Sequence, residues 1–152
     1  MYKVLLLLVL ICMGGTACVS NYRHPSELRF QEKNTKNNQI ISLKRDGVLC
    51  AGDTEGNQNC PIEFYIDSIK AGNFYINNSA QYSLKPETYN FKVKNCTEAS
   101  CQSCDIDLNV GQLASNELVL SVKADGKPFI SNNGQPLSCE VKPQVVAQEH
   151  TI

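Results

Sequence analysis

Residues 89–94 read YNFKVK, and this alternation of apolar and polar side chains decides the fold. Tyr89, Phe91 and Val93 would share one face of an extended chain, because successive side chains of a strand point to opposite sides of a sheet. The same period of two recurs in residues 62–67, 105–110 and 118–122. After residue 18 no stretch shows the period of an amphipathic helix, so the pattern predicts a sheet protein.

Turn signals separate these stretches. The run at residues 39–44 ends at Arg45-Asp46-Gly47, and Asp125-Gly126 and Asn133-Gly134 flank the apolar pair Phe129-Ile130. Short strands bounded by such turns are typical of a β-sandwich. The sequence therefore predicts an all-β fold, a small antiparallel β-sandwich over residues 39–142 that is stapled by disulfides.

Length and charge narrow the class of protein. The chain has 152 residues, 42% of them hydrophobic, and a formal net charge of −1. This length fits one domain with a packed core. A near-neutral chain lacks the positive field of a nucleic-acid binder, so we expect no nucleic-acid partner.

The N-terminus has the features of an export signal. Lys3 precedes an unbroken apolar run over residues 4–13, and small residues follow at 14–17. A basic start, a short apolar run and small residues before a cleavage site describe a secretory signal peptide. A membrane-spanning helix needs about 20 apolar residues. We therefore expect residues 1–17 to be a signal peptide.

The residues Gly15-Thr16-Ala17-Cys18 resemble the lipobox of bacterial lipoproteins, although Gly15 stands where that family usually has an aliphatic residue. The resemblance implies that Cys18 becomes the lipid-carrying N-terminus, with palmitate-type acyl chains, and that the protein is bound to a membrane through them. With Val19 after the cysteine, it implies the outer membrane, at its periplasmic face or the cell surface. Cleavage after Ala17 without lipid would instead leave a periplasmic or secreted protein.

The number of cysteines favours lipidation. Cys12 leaves with the signal peptide, and a lipidated Cys18 leaves six cysteines that can all pair, as expected in an oxidising compartment. We expect one disulfide between Cys50 and Cys60 and two more among the other four, whose pairing stays open. The six candidates are Cys50, Cys60, Cys96, Cys101, Cys104 and Cys139.

Other chemical motifs are weak. Cys101 and Cys104 form a C-x-x-C, but no helix follows to lower a thiol pKa, and zinc would need four paired ligands. Asp105 and Asp107 alternate with apolar residues, which predicts the wet face of a strand. We expect no catalytic residue, no metal site and no cofactor. A thiol–disulfide protein using Cys101 and Cys104 remains an alternative.

The segments outside the sandwich are polar. Residues 18–38 predict a lipid-anchored flexible tether, and residues 143–152 a C-terminal tail. Surface tyrosines would suit contacts with a glycan or another protein: Tyr22, Tyr65, Tyr75 and Tyr82.

Residues 84–93, LKPETYNFKV, are similar to the L-x-P-G-x-Y-x-V-x-V hairpin of PEGA-type modules. Residues 64–67 and Gly72 resemble the leading strand and turn of that family. Glu87 and Ser68 stand where the family has glycine, so the turn at Glu87 must avoid a positive φ. The likeness covers about residues 62–94 and implies a small surface β-module. We expect a non-enzymatic binding or assembly module of the cell envelope, or alternatively a non-lipidated inhibitor-like module.

Overall fold

The computed structural model describes residues 23–97 and 100–139. These ranges contain nine strands and one short 3₁₀ helix, Val110–Gln112, and the all-β prediction is confirmed. The strands are β1 Gln39–Arg45, β2 Ile62–Ile66, β3 Ile69–Phe74, β4 Ser79–Leu84, β5 Thr88–Cys96, β6 Cys101–Asn109, β7 Glu117–Val122, β8 Pro128–Asn132 and β9 Gln135–Pro136.

The strands form two sheets that pack as a sandwich. One sheet has the order β4-β1-β7-β8-β9 and the other the order β3-β2-β5-β6. Neighbours are antiparallel except β1 and β7, which are parallel, so the first sheet is mixed rather than purely antiparallel as predicted. The chain builds the whole second sheet between β1 and β7, and such a long crossover can return a strand in the same direction.

Aromatic side chains fill the space between the sheets. The ring of Phe64 stacks on Phe91 with centroids 5.5 Å apart, and it also contacts Tyr82 at 5.4 Å. Tyr82 is 1% exposed and its Oη donates to the carbonyl of Ala71 over 2.9 Å. The expectation that Tyr82 is a surface tyrosine is therefore wrong. Each such side chain contributes about 1.5–3 kcal/mol by its burial.

Two of the tight turns between strands contain residues other than glycine with positive φ. Asp67 and Ser68 both have positive φ, 48° and 67°, in the two-residue turn between β2 and β3. Asn133 and Gly134 have the same left-handed pair in the turn before β9, as their dipeptide predicts. Glu87 is not among the described residues with positive φ, which agrees with the requirement set by its side chain.

Candidate functional site

Residues 23–31, here called the strap, lie across the edges of both sheets. Ser26 exchanges two backbone hydrogen bonds with Asn73 of β3, at 3.2 and 2.9 Å. The amide of Ser83 in β4 donates to the carbonyl of Phe30 over 2.8 Å. Because β3 and β4 are outer strands of different sheets, the strap ties the two sheets together.

The strap belongs to the folded body, although the sequence places residues 18–38 in a flexible tether. The physical reason is non-local. An outer strand presents unpaired backbone groups, and the strap satisfies some of them. Leu28 and Phe30 also pack against the core as partly buried side chains. Neither effect is visible in the polar composition of this stretch.

Leu28 of the strap packs directly against Gly72 of β3. A Cβ atom at Gly72 would lie 3.0 Å from Cδ2 of Leu28 and 2.8 Å from Cε2 of Phe74. Real Cβ atoms essentially never lie as close as this to Phe74, and the distance to Leu28 is shorter than in most real contacts, so the side chain of Leu28 would have to move. The absence of a side chain at Gly72 is therefore what lets the strap lie flat on β3.

Arg23, where the described chain begins, is held by several contacts. Its Nη1 donates to the carbonyl of Gln58 over 3.2 Å and to Oη of Tyr75 over 3.4 Å. The guanidinium carbon lies 5.0 Å from the centroid of the Tyr75 ring, within reach of a cation–π attraction. Asn78 Nδ2 donates to the carbonyl of Arg23 over 2.6 Å. The start of the strap is thus fixed to the sandwich.

These contacts define two ends of the sandwich. The Arg23 end comprises the loops at residues 46–59 and 75–78 and the turn at 123–127. The opposite Asp67 end comprises the turns at residues 67–68, 85–87 and 133–134. Every strand runs from one end towards the other, so a residue's position along its strand tells which end it is near.

Arg45 is buried at the Arg23 end, where the sequence predicts only a turn. The side chain is 2% exposed and donates to the Asp46 carboxylate, to the carbonyl of Val48 and, over 3.4 Å, to the carbonyl of Leu120. Burial lowers the pKa of Arg45, and the Asp46 charge partly offsets this. The period of two through Ile41 and Leu43 continues to Arg45, and that signal could have placed it inside.

Two disulfides are present, which confirms that the chain is disulfide-stapled. Cys96 and Cys101 lie opposite each other where β5 pairs with β6. Cys104 is bonded to Cys139, 35 residues further along the chain. The two cysteines of the C-x-x-C therefore have different partners, and they differ in burial: Cys101 is exposed and Cys104 is 1% exposed.

Cys50 and Cys60 are buried free thiols in the structure, so the disulfide predicted between them is not formed there. The carboxamide of Asn95 contacts both sulfurs: its Nδ2 donates to Cys50 Sγ over 3.4 Å and its Oδ1 accepts from Cys60 Sγ. Burial, together with the neighbouring Cys50 thiol, raises the pKa of Cys60 to about 12. A surface recess of about 330 Å³, lined by Asp53, Cys60 and Cys96 among others, opens beside the pair.

The outer face of the second sheet carries charges. Glu63 Oε1 accepts from Lys70 Nζ over 2.9 Å, and Glu63 Oε2 accepts from Tyr65 Oη over 2.8 Å. Partial burial acts to raise the pKa of Glu63, but these bonds outweigh it and the pKa is lowered. Asp107 accepts from Asn90 Nδ2 over 2.8 Å on the same polar surface, the position that its alternation predicts.

Within residues 23–97 and 100–139, no group of three or more His, Cys, Asp or Glu side chains is placed to hold a metal ion. The same ranges contain no helix with the length and apolar character to cross a bilayer. The predicted signal peptide, Cys18, Tyr22 and the tail at 143–152 lie outside the described residues. No family model, curated protein or solved structure compared with the chain matches it.

Proposed function

We propose that this chain is a lipoprotein of the bacterial outer membrane, anchored through Cys18, and that its β-sandwich is a non-enzymatic binding or assembly module of the cell envelope. The observation that carries the proposal is the lipobox-like Gly15-Thr16-Ala17-Cys18, which ends five residues before the first residue of a strap that is bound to a disulfide-linked body. A lipid on Cys18 would hold that body at the membrane.

The disulfides support export. Disulfides persist in oxidising compartments such as the periplasm and are rare in the cytosol. Cys104–Cys139 closes a long stretch of chain and is largely buried, which is the arrangement of a structural bond. The body therefore suits the compartment to which the apolar leader would direct it.

The hairpin of β2 and β3 supports a surface β-module of the PEGA type, although the second hairpin of that likeness is not formed, since β4 and β5 lie in different sheets. β2 and β3 join through a two-residue turn. Lys85-Pro86-Glu87 joins β4 to β5 and carries the chain from one sheet to the other. Tyr89 Oη accepts from the amide of Lys85 over 3.1 Å, so the tyrosine closes the turn that precedes its own strand. The partner of such a module would be an envelope protein or a glycan.

Fractionation of a two-membrane bacterium expressing the chain with its own leader tests the proposal. The wild-type chain should be found in the outer-membrane fraction, whereas the Cys18→Ser variant should leave that fraction. Cys12→Ser is the matched control, because it removes a leader cysteine and should change nothing. A Cys18→Ser chain that fractionates like the wild type would overturn the lipid anchor. A soluble, unacylated wild-type chain would support the periplasmic or secreted inhibitor-like module instead.

A further inference from the structure

The strap restricts where a lipid on Cys18 can be. Cys18 and Arg23 are five residues apart in the sequence. A fully extended chain spans at most ~3.6 Å per residue, so five residues reach at most ~18 Å. A lipid on Cys18 must therefore enter the bilayer within that distance of Arg23.

The sandwich is longer than this reach. β5 runs from the Asp67 end to the Arg23 end and has nine residues. At a rise of ~3.3 Å per residue its eight steps cover roughly 26 Å. Arg23 is bound to Gln58, Tyr75 and Asn78 at one end, so the short connection cannot carry the lipid to the other end.

We infer that the lipidated protein stands with its Arg23 end against the lipid surface and its Asp67 end directed away from it. This orientation rests on the proposed lipid anchor. The Arg23 end contacts a lipid bilayer, because only five residues separate Cys18 from Arg23, where the strap is fixed to the sandwich. Because the strap is bound to the sandwich, only the residues between Cys18 and Arg23 connect the lipid to the folded body.

The charge of the Arg23 end does not select this orientation by itself. Lys123 and Lys127 lie in the same loops and turns as Asp46, Asp53 and Asp125, so both signs are present. The contact is accordingly set by the tether, and we expect it to be the same on neutral and on anionic lipid. The turns of the Asp67 end are then the surfaces presented to an envelope partner.

The two most exposed large apolar side chains of the described residues supply matched reporters. Val48 is 47% exposed at the Arg23 end, and Ile69 is 45% exposed beside the turn of the Asp67 end. The chain contains no tryptophan, so a single introduced indole is the only one. Val48→Trp and Ile69→Trp replace equally exposed apolar residues at opposite ends.

The experiment places each lipidated variant on phosphatidylcholine vesicles that contain nitroxide-labelled lipid. The Val48→Trp variant should lose fluorescence when the labelled lipid is present, and the Ile69→Trp variant should not. Lys123→Trp and Lys85→Trp, also at the Arg23 and Asp67 ends, are a second pair should either first variant fail to fold. Equal quenching at the two ends, or stronger quenching at the Asp67 end, would overturn the orientation.

Failure of the lipid anchor is distinguished by a second arm. A chain that begins at Cys18 and carries no lipid is coupled through the Cys18 thiol to maleimide-headgroup phospholipid in the vesicles, which replaces the acyl chains as anchor at the same distance from Arg23; Cys50 and Cys60 are buried and should not react in the folded protein. If acylation is absent but Val48→Trp is still quenched preferentially here, the lipid proposal fails and the strap geometry stands. Equal quenching in this arm contradicts the strap geometry itself.

Discussion

Loss of the Cys104–Cys139 disulfide should destabilise the protein about twice as much as loss of Cys96–Cys101. The two bonds join residues 35 and 5 apart in sequence. The chain-entropy relation gives about 3.8 kcal/mol at 25 °C for the longer loop and about 2.1 kcal/mol for the shorter. Since domains of this size are stable by roughly 5–15 kcal/mol, the first loss would remove a large share of the free energy of unfolding.

The surroundings of the bonds act in the same direction. Cys104 is 1% exposed and ties β6 to Cys139, in the described segment that follows the two-residue strand β9. Cys96 and Cys101 are already held opposite each other by the ladder between β5 and β6. Removing the shorter bond therefore leaves its two ends together, whereas removing the longer one releases a segment.

The assay is urea unfolding of two double variants under non-reducing conditions. Cys104→Ala with Cys139→Ala is the test, and Cys96→Ala with Cys101→Ala is the matched control. Each variant loses one bond and leaves no orphaned thiol from that bond. Equal losses in the two variants, or a larger loss in the control, would refute the reasoning. Comparison is valid where the urea dependence of the free energy is unchanged.

Three further predictions concern the core. Gly72→Ala should lower the free energy of unfolding by about 1–3 kcal/mol through overpacking, since the new Cβ would lie 3.0 Å from Leu28. In urea unfolding, the double variant with Leu28→Ala should lose less stability than the sum of the two single variants. Strict additivity would contradict the packing of Leu28 on Gly72. Burial raises the pKa of Tyr82, so its contribution to the free energy of unfolding is full below about pH 10 and is lost as the pH rises above that value. Thermal unfolding measured against pH should show a smaller loss of stability at high pH for Tyr82→Phe than for the wild type. An equal loss in the two proteins would exclude Tyr82 as its source. Cys50 and Cys60 are buried free thiols that both contact Asn95, so both should stay reduced. A maleimide should label neither thiol in the folded protein and both on unfolding without reductant; no label on unfolding would contradict this.

Local patterns in the sequence were sufficient for part of the fold. The sequence places β2, β5, β6 and β7, and in β2, β5 and the middle of β6 every second side chain is buried. β4 was not predicted, and it is buried at Ser83 as well as at Tyr82 and Leu84. The amide of Ser83 donates to Phe30 of the strap, a contact between residues distant in the sequence. The parallel pairing of β1 with β7 also depends on contacts between distant residues.

The candidate site shows the same division. The motif at Cys18 is a local stretch and the number of cysteines is a matter of composition, so both can be interpreted from the sequence alone. The strap packs on Gly72, and Arg23 is hydrogen-bonded to the sandwich. Both contacts depend on which strands become outer strands, which the sequence does not reveal. The sequence therefore suggests a free tether where the structure has a bound segment. Arg45 was missed because a charged residue next to Asp46-Gly47 looks like the start of a turn.

Intact mass spectrometry of the chain expressed with its own leader, before and after reduction and alkylation, tests the lipid anchor most directly. We expect a chain that begins at Cys18 and carries acyl chains, in which Cys50 and Cys60 are alkylated on unfolding before reduction. After reduction all six cysteines outside the leader and the anchor should be alkylated. An unacylated mature chain would contradict the lipid anchor at Cys18.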